Sequence, residues 1–255
     1  MKKLIYFMRG VLLVALINNI AAVNAEEVKA AVAANFTAAI KKLAPQYEQK
    51  TGNKLLVSFG ATGQLYAQIN NGAPFDVFLS ADDTTPKKLI AEGSAVADSY
   101  FIYARGRLAL WSGTPGYVDD QGAILKSDQF SKIAIANPKT APYGQATIEA
   151  LTTLKLLDQL QPKFVMGENI AQTQQFVSSG NVPLGFIALA QVKALPASER
   201  GSWWVVPETL HKPIDQGAVQ LSKASSPQAA ALFLAFLKSP EAVAIIRELG
   251  YESAN

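Results

Sequence analysis

Residues 28–59 read VKAAVAANFTAAIKKLAPQYEQKTGNKLLVSF, and this stretch indicates the fold class. The apolar run at 28–33 predicts a buried strand. Residues 37–50 follow with helical spacing and end at Gly52, and the run at 54–59 predicts a second strand. A strand, a helix and a further strand in this order favour a parallel βαβ unit, so we expect an α/β protein.

The same alternation continues along the chain. Further strands are predicted at 76–79, 108–111, 132–136, 164–166, 183–187, 203–206 and 218–221. Further helices are predicted at 64–70, 85–92, 144–160, 227–237 and 240–249. The helix at 144–160 is expected to be the longest, because its leucines recur at helical spacing. Loop-rich stretches at 103–107 and 207–216 are candidate crossings between two lobes.

The charge of the chain excludes a polyanion-binding role. The sequence has 23 Lys and Arg against 20 Asp and Glu, a formal net charge of +3. Lys2, Lys3 and Arg9 supply that whole excess, because no acidic residue occurs among residues 1–25. The remaining chain is neutral and has no block of like charges, so we expect no nucleic-acid partner.

Residues 1–25 are predicted to form a cleaved signal peptide. The basic start is followed by a short apolar stretch and by Val23-Asn24-Ala25, a small-residue cleavage site. A membrane anchor is the alternative, but Arg9 and the pair Asn18-Asn19 interrupt the apolar run well short of the ~20 residues that a spanning helix needs. The chain has no cysteine, which excludes disulfides, thiol catalysis and thiolate metal sites. We therefore expect a soluble, exported, periplasmic protein.

Signatures of catalysis are missing from the sequence. It contains no nucleophile elbow, no Walker A loop, no dinucleotide-binding glycine motif and no zinc-binding H-E-x-x-H. His211 is the single histidine, so a metal site with two histidine ligands cannot form. The pair Asp82-Asp83 after a predicted strand is better explained by helix capping than by acid–base chemistry.

Four junctions share one pattern: a strand end, then small or hydroxyl-bearing residues, then a helix start. They lie at 33–37, 60–63, 137–144 and 167–171. A helix start leaves about four N–H groups unpaired and carries a partial positive charge. Asn and Thr at such places are ordinary capping residues, so each junction alone says little. Several helix starts meeting at one point would form an anion site without any Lys or Arg.

The residues at these junctions carry a resemblance to a known family. The stretches AANFTAAI (33–40), VSFGATGQLYAQI (57–69), NGAPFDVFLSADD (71–83), IAIANPKTAPYGQAT (133–147) and NVPLGFIALAQV (181–192) resemble the molybdate-binding periplasmic proteins of ABC transporters. The resemblance extends over about residues 28–250. Its most specific pieces are 72–82 and the segment from Asn137 to Gly144.

The resemblance implies a two-lobed type II periplasmic binding protein fold. Each lobe would be a mainly parallel sheet flanked by helices, with the ligand in the cleft between the lobes. The first lobe would comprise 26–105 and 213–255, and the second lobe 106–212. No cofactor and no enzymatic activity are implied. The implied partners are molybdate or tungstate and the membrane permease of an ABC importer, and the chain is expected to be a monomer.

Carried over by position, the oxyanion contacts fall at Asn35, Thr62, Tyr143 and the backbone N–H of Ile170. The implied donors are the Asn35 amide, the Thr62 and Tyr143 hydroxyls and main-chain N–H groups, which bind the oxyanion oxygens and not the metal itself. Family members that carry a Tyr after the PLG motif differ from this chain, which has Ala188 there. Two other functions remain open: a binding protein for another oxyanion such as sulfate, and a cleft enzyme using Glu168 and Asp82.

Overall fold

The computed structural model describes residues 25–252, so the expected signal peptide lies outside the described residues apart from Ala25. Within this range the strands are β1 Glu27–Ala33, β2 Lys54–Gly60, β3 Val77–Leu79, β4 Phe101–Gly106, β5 Leu108–Ser112, β6 Ile133–Ala136, β7 Phe164–Gly167, β8 Gly185–Ala188, β9 Ser202–Val205 and β10 Ile214–Gln220. The α-helices are α1 Thr37–Thr51, α2 Thr62–Asn70, α3 Thr84–Ala91, α4 Pro142–Thr153, α5 Leu157–Leu160, α6 Ile170–Ser178, α7 Leu189–Ala194, α8 Pro227–Leu237 and α9 Pro240–Glu248.

The described strands form two five-stranded sheets. The first has the order β2-β1-β3-β10-β4, and the second has the order β7-β6-β8-β5-β9. In the first sheet β1 is parallel to β2 and β3, whereas β10 is antiparallel to β3 and β4. In the second, β6 is parallel to β7 and β8, whereas β5 is antiparallel to β8 and β9. Both sheets are therefore mixed rather than mainly parallel.

The antiparallel strands are those next to the connections between the sheets. The chain leaves the first sheet after β4 and returns to it with β10. A parallel pair needs a crossover connection over one face of its own sheet. Strand β10 arrives from the other sheet instead, so no crossover helix directs it parallel to its neighbours.

Strand β1 is buried on both faces of the first sheet. Val28, Ala30 and Val32 pack in one apolar cluster with residues of α1 and α8, whereas Ala31 packs in another with Leu65 of α2 and with α3. Strands covered on both faces are typical of parallel α/β sheets. Because β1 and β2 run parallel, both end at the edge of the sheet where α1 and α2 begin.

The prediction of one helix over 144–160 is wrong. The chain forms α4 and α5 there, separated by Lys155 in the left-handed region with φ 59°. The N–H of Lys155 donates to the carbonyl of Thr152 (3.0 Å), and the N–H of Leu156 donates to that of Leu151 (2.8 Å). These two bonds form a Schellman motif, which usually has glycine at the position that Lys155 occupies. The sequence therefore carries no sign that the helix ends there. Within residues 25–252 the longest helix is α1, with 15 residues.

Hydrogen bonds to the Asp76 side chain link the start of β3 to β1 and to the residues before α8. Its carboxylate is fully buried and accepts hydrogen bonds from the N–H of Lys29 in β1 (2.7 Å) and from the N–H of Ser225 (2.6 Å) and Ser226 (3.3 Å) before α8. Three main-chain donors compensate the cost of burying the charge. Asp76, one of the two acidic residues in the segment 72–82, is thus structural.

Among residues 25–252 no single helix is long and apolar enough to cross a bilayer. The helices α8 and α9 meet the length and composition criteria only as a pair, and they are bent by 60° relative to each other.

Candidate functional site

The four residues expected at the site line one small pocket between the two sheets. Asn35 and Thr62 follow β1 and β2, and Tyr143 and Ile170 lie at the starts of α4 and α6. About 210 Å³ of space not occupied by atoms lies in the pocket and at its opening to solvent, and no charged side chain lines it. The structure therefore brings all four junctions together at the strand ends, as the pattern predicts for an α/β ligand site.

Three of the helix starts around the pocket have no side-chain cap. The capping positions before the 3-10 turn Ala34–Phe36, before α2 and before α4 are Ala33, Ala61 and Ala141. Alanine has no side-chain acceptor, so it cannot satisfy the first N–H groups of a helix. Apart from the N–H of Gly63, which donates to the carbonyl of Thr140 (2.9 Å), the first N–H groups are left for water or for a bound acceptor.

The fourth helix start, that of α6, has a side-chain cap that does not bond to the first N–H of the helix. The Asn169 side chain accepts hydrogen bonds from the N–H groups of Ala171 (3.0 Å) and Gln172 (3.1 Å). The cap does not engage the N–H of Ile170, which is the first residue of α6. Asn169 thus holds the first turn in place and leaves the N–H of Ile170 for another partner.

The hydroxyl of Thr62 is arranged as a donor. Its oxygen accepts hydrogen bonds from the N–H of Ala81 (3.0 Å) and from the hydroxyl of Ser80 (3.4 Å). The Ser80 hydroxyl has one proton for Thr62 and for Oδ1 of Asp82 (3.3 Å), so Ala81 is the donor that always occupies the Thr62 oxygen. The proton of the Thr62 hydroxyl remains as a donor. Thr62 is almost completely buried and lines the pocket, so that proton is available to an acceptor inside it.

The side chain of Asn35 has one end bonded and one end free. Its Nδ2 donates to Oε1 of Gln216 (2.8 Å) and to the hydroxyl of Tyr251 (3.2 Å). Its Oδ1 is buried and has no hydrogen-bond partner. The amide nitrogen that the sequence assigns to the ligand is thus engaged behind the pocket in this structure.

The hydroxyl of Tyr143 is directed toward the strands that connect the two sheets. It accepts a hydrogen bond from Nε2 of Gln216 (3.2 Å). It also lies against Gly106, where an added Cβ would come within 2.0 Å of the hydroxyl oxygen. The hydroxyl that is expected to contact a ligand thus also accepts a hydrogen bond from Gln216. The N–H of Tyr143, in contrast, belongs to the first turn of α4, before the first helical bond from Gln145 to Ala141 (3.1 Å).

The tyrosines behind the pocket stay protonated near neutral pH. Burial raises the pKa of Tyr103 and Tyr143 well above the usual value and also raises the pKa of Tyr251. All three hydroxyls can therefore act as neutral donors and acceptors over the physiological range.

Contacts across the pocket join the parts of the chain that carry the two sheets. The N–H of Gly63 in α2 donates to the carbonyl of Thr140 in the loop before α4 (2.9 Å). Ala34, Ala61 and Ala81 from the side of the first sheet belong to the same apolar cluster as Tyr143 from the side of the second. The pocket is consequently enclosed from both sides.

The residues considered for catalysis are not assembled into a reactive group. Asp82 accepts a hydrogen bond from the N–H of Thr85 (2.7 Å) and so caps α3, and Glu168 is exposed. Nδ1 of His211 lies 2.7 Å from the carbonyl oxygen of Lys212. No group of three or more His, Cys, Asp or Glu that could hold a metal ion occurs within 25–252.

Sequence reasoning missed Gln216, Tyr103 and Tyr251. Gln216 is a completely buried polar side chain in β10, and the two tyrosines pack edge-on against Phe36 at centroid distances of 4.8 and 5.4 Å. These residues are spread over distant parts of the sequence and form no motif. Strand β10 also carries the polar residues Asp215 and Gln220, so no signal in the sequence singles out Gln216.

Two mixed α/β sheets, joined by two connections and enclosing a pocket at the strand ends, define a two-lobed protein of the periplasmic binding protein architecture. The chain belongs to the bacterial extracellular solute-binding protein family, whose model matches residues 28–252.

Among its relatives is the molybdate-binding protein ModA of Azotobacter vinelandii, with 53% identity over 230 residues, 90% of this chain and 91% of the relative. ModA of Rhodobacter capsulatus is 50% identical over 227 residues, 89% of this chain and 88% of the relative. A solved structure of the Azotobacter vinelandii periplasmic molybdate-binding protein matches with a TM-score of 0.86 at 41% identity, over 89% of this chain and 100% of that one.

Proposed function

We propose that this chain is an extracytoplasmic solute-binding protein that captures molybdate or tungstate and delivers it to an ABC importer. The observation that carries the proposal is the meeting of four helix starts at one uncharged pocket, three of them without a side-chain cap. Such an arrangement suits an anion that needs many donors. Relatives at 53% and 50% identity that are named molybdate-binding proteins support the choice of ligand.

Each site residue has a defined role in this proposal. Thr62 donates its hydroxyl proton to one oxygen of the anion, and Ile170 donates its main-chain N–H to another. Tyr143 contributes its main-chain N–H in the first turn of α4, and the oxygen of its hydroxyl accepts a hydrogen bond from Gln216. Asn35 contributes its side-chain amide together with the N–H groups of the turn that contains it. The metal atom is contacted only through its oxygens.

Neutral donors are sufficient for a dianion in this pocket. A buried charge is stabilised when its hydrogen-bonding capacity is met, and bonds to a charged acceptor are stronger than those between neutral groups. The donors come from both sides of the pocket, so the anion binds the closed arrangement of the lobes more tightly than an open one. We propose that the closed form is the one the permease recognises.

The remaining assignments follow from the same proposal. The first lobe comprises 26–105 and 213–255 and the second lobe 106–212; the membership of the strands in the two sheets supports this division. The mature protein is a soluble periplasmic monomer without a cofactor, released after cleavage behind Ala25. It binds and carries its ligand and catalyses no reaction.

The alternatives are another oxyanion and an enzymatic activity. Sulfate is also a dianion and is smaller than molybdate, so the size of the pocket is what separates the two. Phosphate retains a proton near neutral pH, and a wall of donors leaves that proton without an acceptor. For an enzyme, Glu168 is the best remaining candidate, but it is exposed.

Calorimetric titration of the purified mature chain with molybdate, tungstate, sulfate and phosphate tests the proposal. We expect one-to-one binding of molybdate and tungstate and much weaker binding of the other two. Tight sulfate binding without a molybdate response would overturn the choice of ligand. The variant Glu168→Ala is the matched control for the enzyme alternative, and its affinity is expected to equal that of the wild type.

Replacing Thr62 by valine is expected to weaken molybdate binding by about 1.5–3 kcal/mol, the range for losing a hydrogen bond to a charged group. Valine keeps the shape of threonine but cannot donate to the anion or accept from Ala81. Thr62→Ser retains the hydroxyl and is expected to stay within a few tenths of a kcal/mol of the wild type. Equal affinities of the valine and serine variants in calorimetry would remove the Thr62 hydroxyl from the site.

A further inference from the structure

Five polar side chains form one hydrogen-bonded cluster directly behind the pocket: Asn35, Tyr103, Tyr143, Gln216 and Tyr251. Gln216 lies at its centre and is 0% exposed. It sits in β10 at a shift of register with β4, between Gln216 and Gly217. A bulge of this kind redirects a side chain. Here the side chain reaches both Asn35, on the side of the first sheet, and Tyr143 in α4.

In the structure, Oε1 of Gln216 faces Asn35 and Tyr103. With this orientation, some donors and acceptors of the cluster lack a partner. The Tyr103 hydroxyl lies 2.9 Å from the Ser80 carbonyl and 2.9 Å from Oε1 of Gln216, and it has one proton for these two acceptors. Oδ1 of Asn35 has no donor. The hydrogen bond made by the Tyr143 hydroxyl is one that it accepts, from Nε2 of Gln216.

Rotating the two amides by half a turn corrects these three mismatches. It places Oδ1 of Asn35 beside the Tyr251 hydroxyl (3.2 Å), whose proton goes to the main-chain carbonyl of Asn35 (2.8 Å), so the rotation gives up one hydrogen bond at Tyr251. Nε2 of Gln216 then donates to Tyr103 and to Oδ1 of Asn35, and Tyr103 gives its own proton to Ser80. Oε1 of Gln216 accepts the proton of Tyr143. Nδ2 of Asn35 then takes the position that Oδ1 held before the rotation, where no protein group bonds to it. In this arrangement Asn35 presents donors instead of an acceptor to the pocket that it lines.

We propose that Gln216 is the positioning residue of the oxyanion site: it fixes the Asn35 amide with Nδ2 toward the anion and links this orientation to the Tyr143 hydroxyl on the other lobe. The inference rests on the proposed function. An oxyanion accepts hydrogen bonds only, so it favours the orientation with Nδ2 in the pocket. Gln216 lies in the first sheet and Tyr143 in α4 beside the second, so the hydrogen bond between them joins the two lobes and links amide orientation to their arrangement.

The first test is Gln216→Met, which keeps the length of the side chain and removes both polar ends. We expect molybdate affinity to fall about 10- to 100-fold, the range for losing a hydrogen bond that supports a charged ligand. Gln220→Met is the matched control, because it makes the same change in the same strand outside the cluster, and it should bind within twofold of the wild type. Thermal unfolding of both variants shows whether the fold is retained.

A double-mutant cycle separates positioning from a merely structural role. If Gln216 acts through Asn35, Gln216→Met should reduce molybdate affinity only slightly in a protein that already carries Asn35→Ala. In that protein, the amide that Gln216 orients is absent. Independent effects of the two changes would add. Additive losses, or an affinity of Gln216→Met within twofold of the wild type, overturn the proposal.

A pH profile of Gln216→Glu gives a second readout. Burial raises the pKa of a carboxyl group. Ionised, the new side chain only accepts, so it holds Nδ2 of Asn35 away from the pocket and repels the anion. Protonated, it donates to Oδ1 of Asn35 and accepts from Tyr143, as the proposal requires of Gln216. Affinity is therefore expected to rise at least tenfold from pH 8.5 to 6, whereas a flat profile contradicts the proposal.

The tyrosines around Gln216 add no titration to the wild-type profile in this range. The neighbouring tyrosines are protonated because burial raises their pKa. Arg105 and Asp215 form an ion pair next to it (2.6 Å), and the carboxylate of Asp82 caps α3.

The wild type in the same titrations distinguishes failure of this inference from failure of the proposed function. If sulfate binds and molybdate does not, the ligand assignment is wrong and the same cycle is measured with sulfate. If none of the four oxyanions binds the wild type, both the function and the role of Gln216 are wrong.

Discussion

Asn35→Asp is expected to abolish molybdate binding at pH 8, with a loss of at least ~4 kcal/mol. Aspartate matches asparagine in shape but replaces the amide donors by a carboxylate that can only accept. The Coulomb repulsion between two unit charges 4 Å apart is about 4 kcal/mol at an effective dielectric constant of 20, and the ligand carries two charges. Asn35 is 2% exposed, so water screens this repulsion poorly.

The loss should depend on pH in a defined direction. Burial and the neighbouring dianion raise the pKa of the new carboxyl group. Binding returns as the pH falls through that raised pKa, because the protonated group no longer repels the anion. Titrations at pH 8.5, 7 and 6 measure this recovery. Asn181→Asp makes the same chemical change at an exposed position and should leave affinity unaltered. Binding of the Asn35 variant at pH 8 with wild-type affinity would place the anion elsewhere.

Gly144→Ala is expected to lower the free energy of unfolding by about 1–3 kcal/mol, the usual cost of overpacking a core, or more. A Cβ at this position would lie 2.2 Å from the carbonyl oxygen of Ala136 and 2.8 Å from its carbonyl carbon. Both are main-chain atoms of β6, so no side chain can move aside. The first turn of α4 must shift away from the sheet, and the N–H of Tyr143 shifts with it.

Urea unfolding and molybdate titration together measure the two consequences of Gly144→Ala. Gly113→Ala is the matched control, because a Cβ there meets no atom within 4 Å. We expect the control to retain the stability and the affinity of the wild type. A Gly144 variant that is as stable as the control would show that α4 can move against β6 without cost.

The sequence predicts the order of strands and helices because apolar periodicity and helix-ending glycines are local signals. Gly52 illustrates this: it ends α1 at φ 76°, and its position marks the helix end in the sequence. The end of α4 is missed because Lys155 occupies the left-handed position, and lysine carries no such signal. The antiparallel placement of β10 depends on the return of the chain from the other sheet, which no local pattern records.

The candidate site could be located from the sequence, but the directions of its side chains could not. The four helix starts are local features, and together they indicate the pocket that Asn35, Thr62, Tyr143 and Ile170 line. The hydroxyl of Tyr143 turns toward Gln216 because Gly106 leaves room for it there. Gly106 lies 37 positions before Tyr143 in the chain (143 − 106), so the two residues are neighbours only in the folded molecule.

The absence of charged side chains around the pocket also determines how the site responds to its medium. Dissolved ions screen interactions between charges over about 10 Å at 0.1 M ionic strength, but they hardly affect hydrogen bonds made at contact distance inside an enclosed pocket. An uncharged site likewise provides no electrostatic steering of its own. We therefore expect association with an oxyanion to be slower than at a positively charged site. In return, we expect the affinity to change little with the ionic strength of the medium.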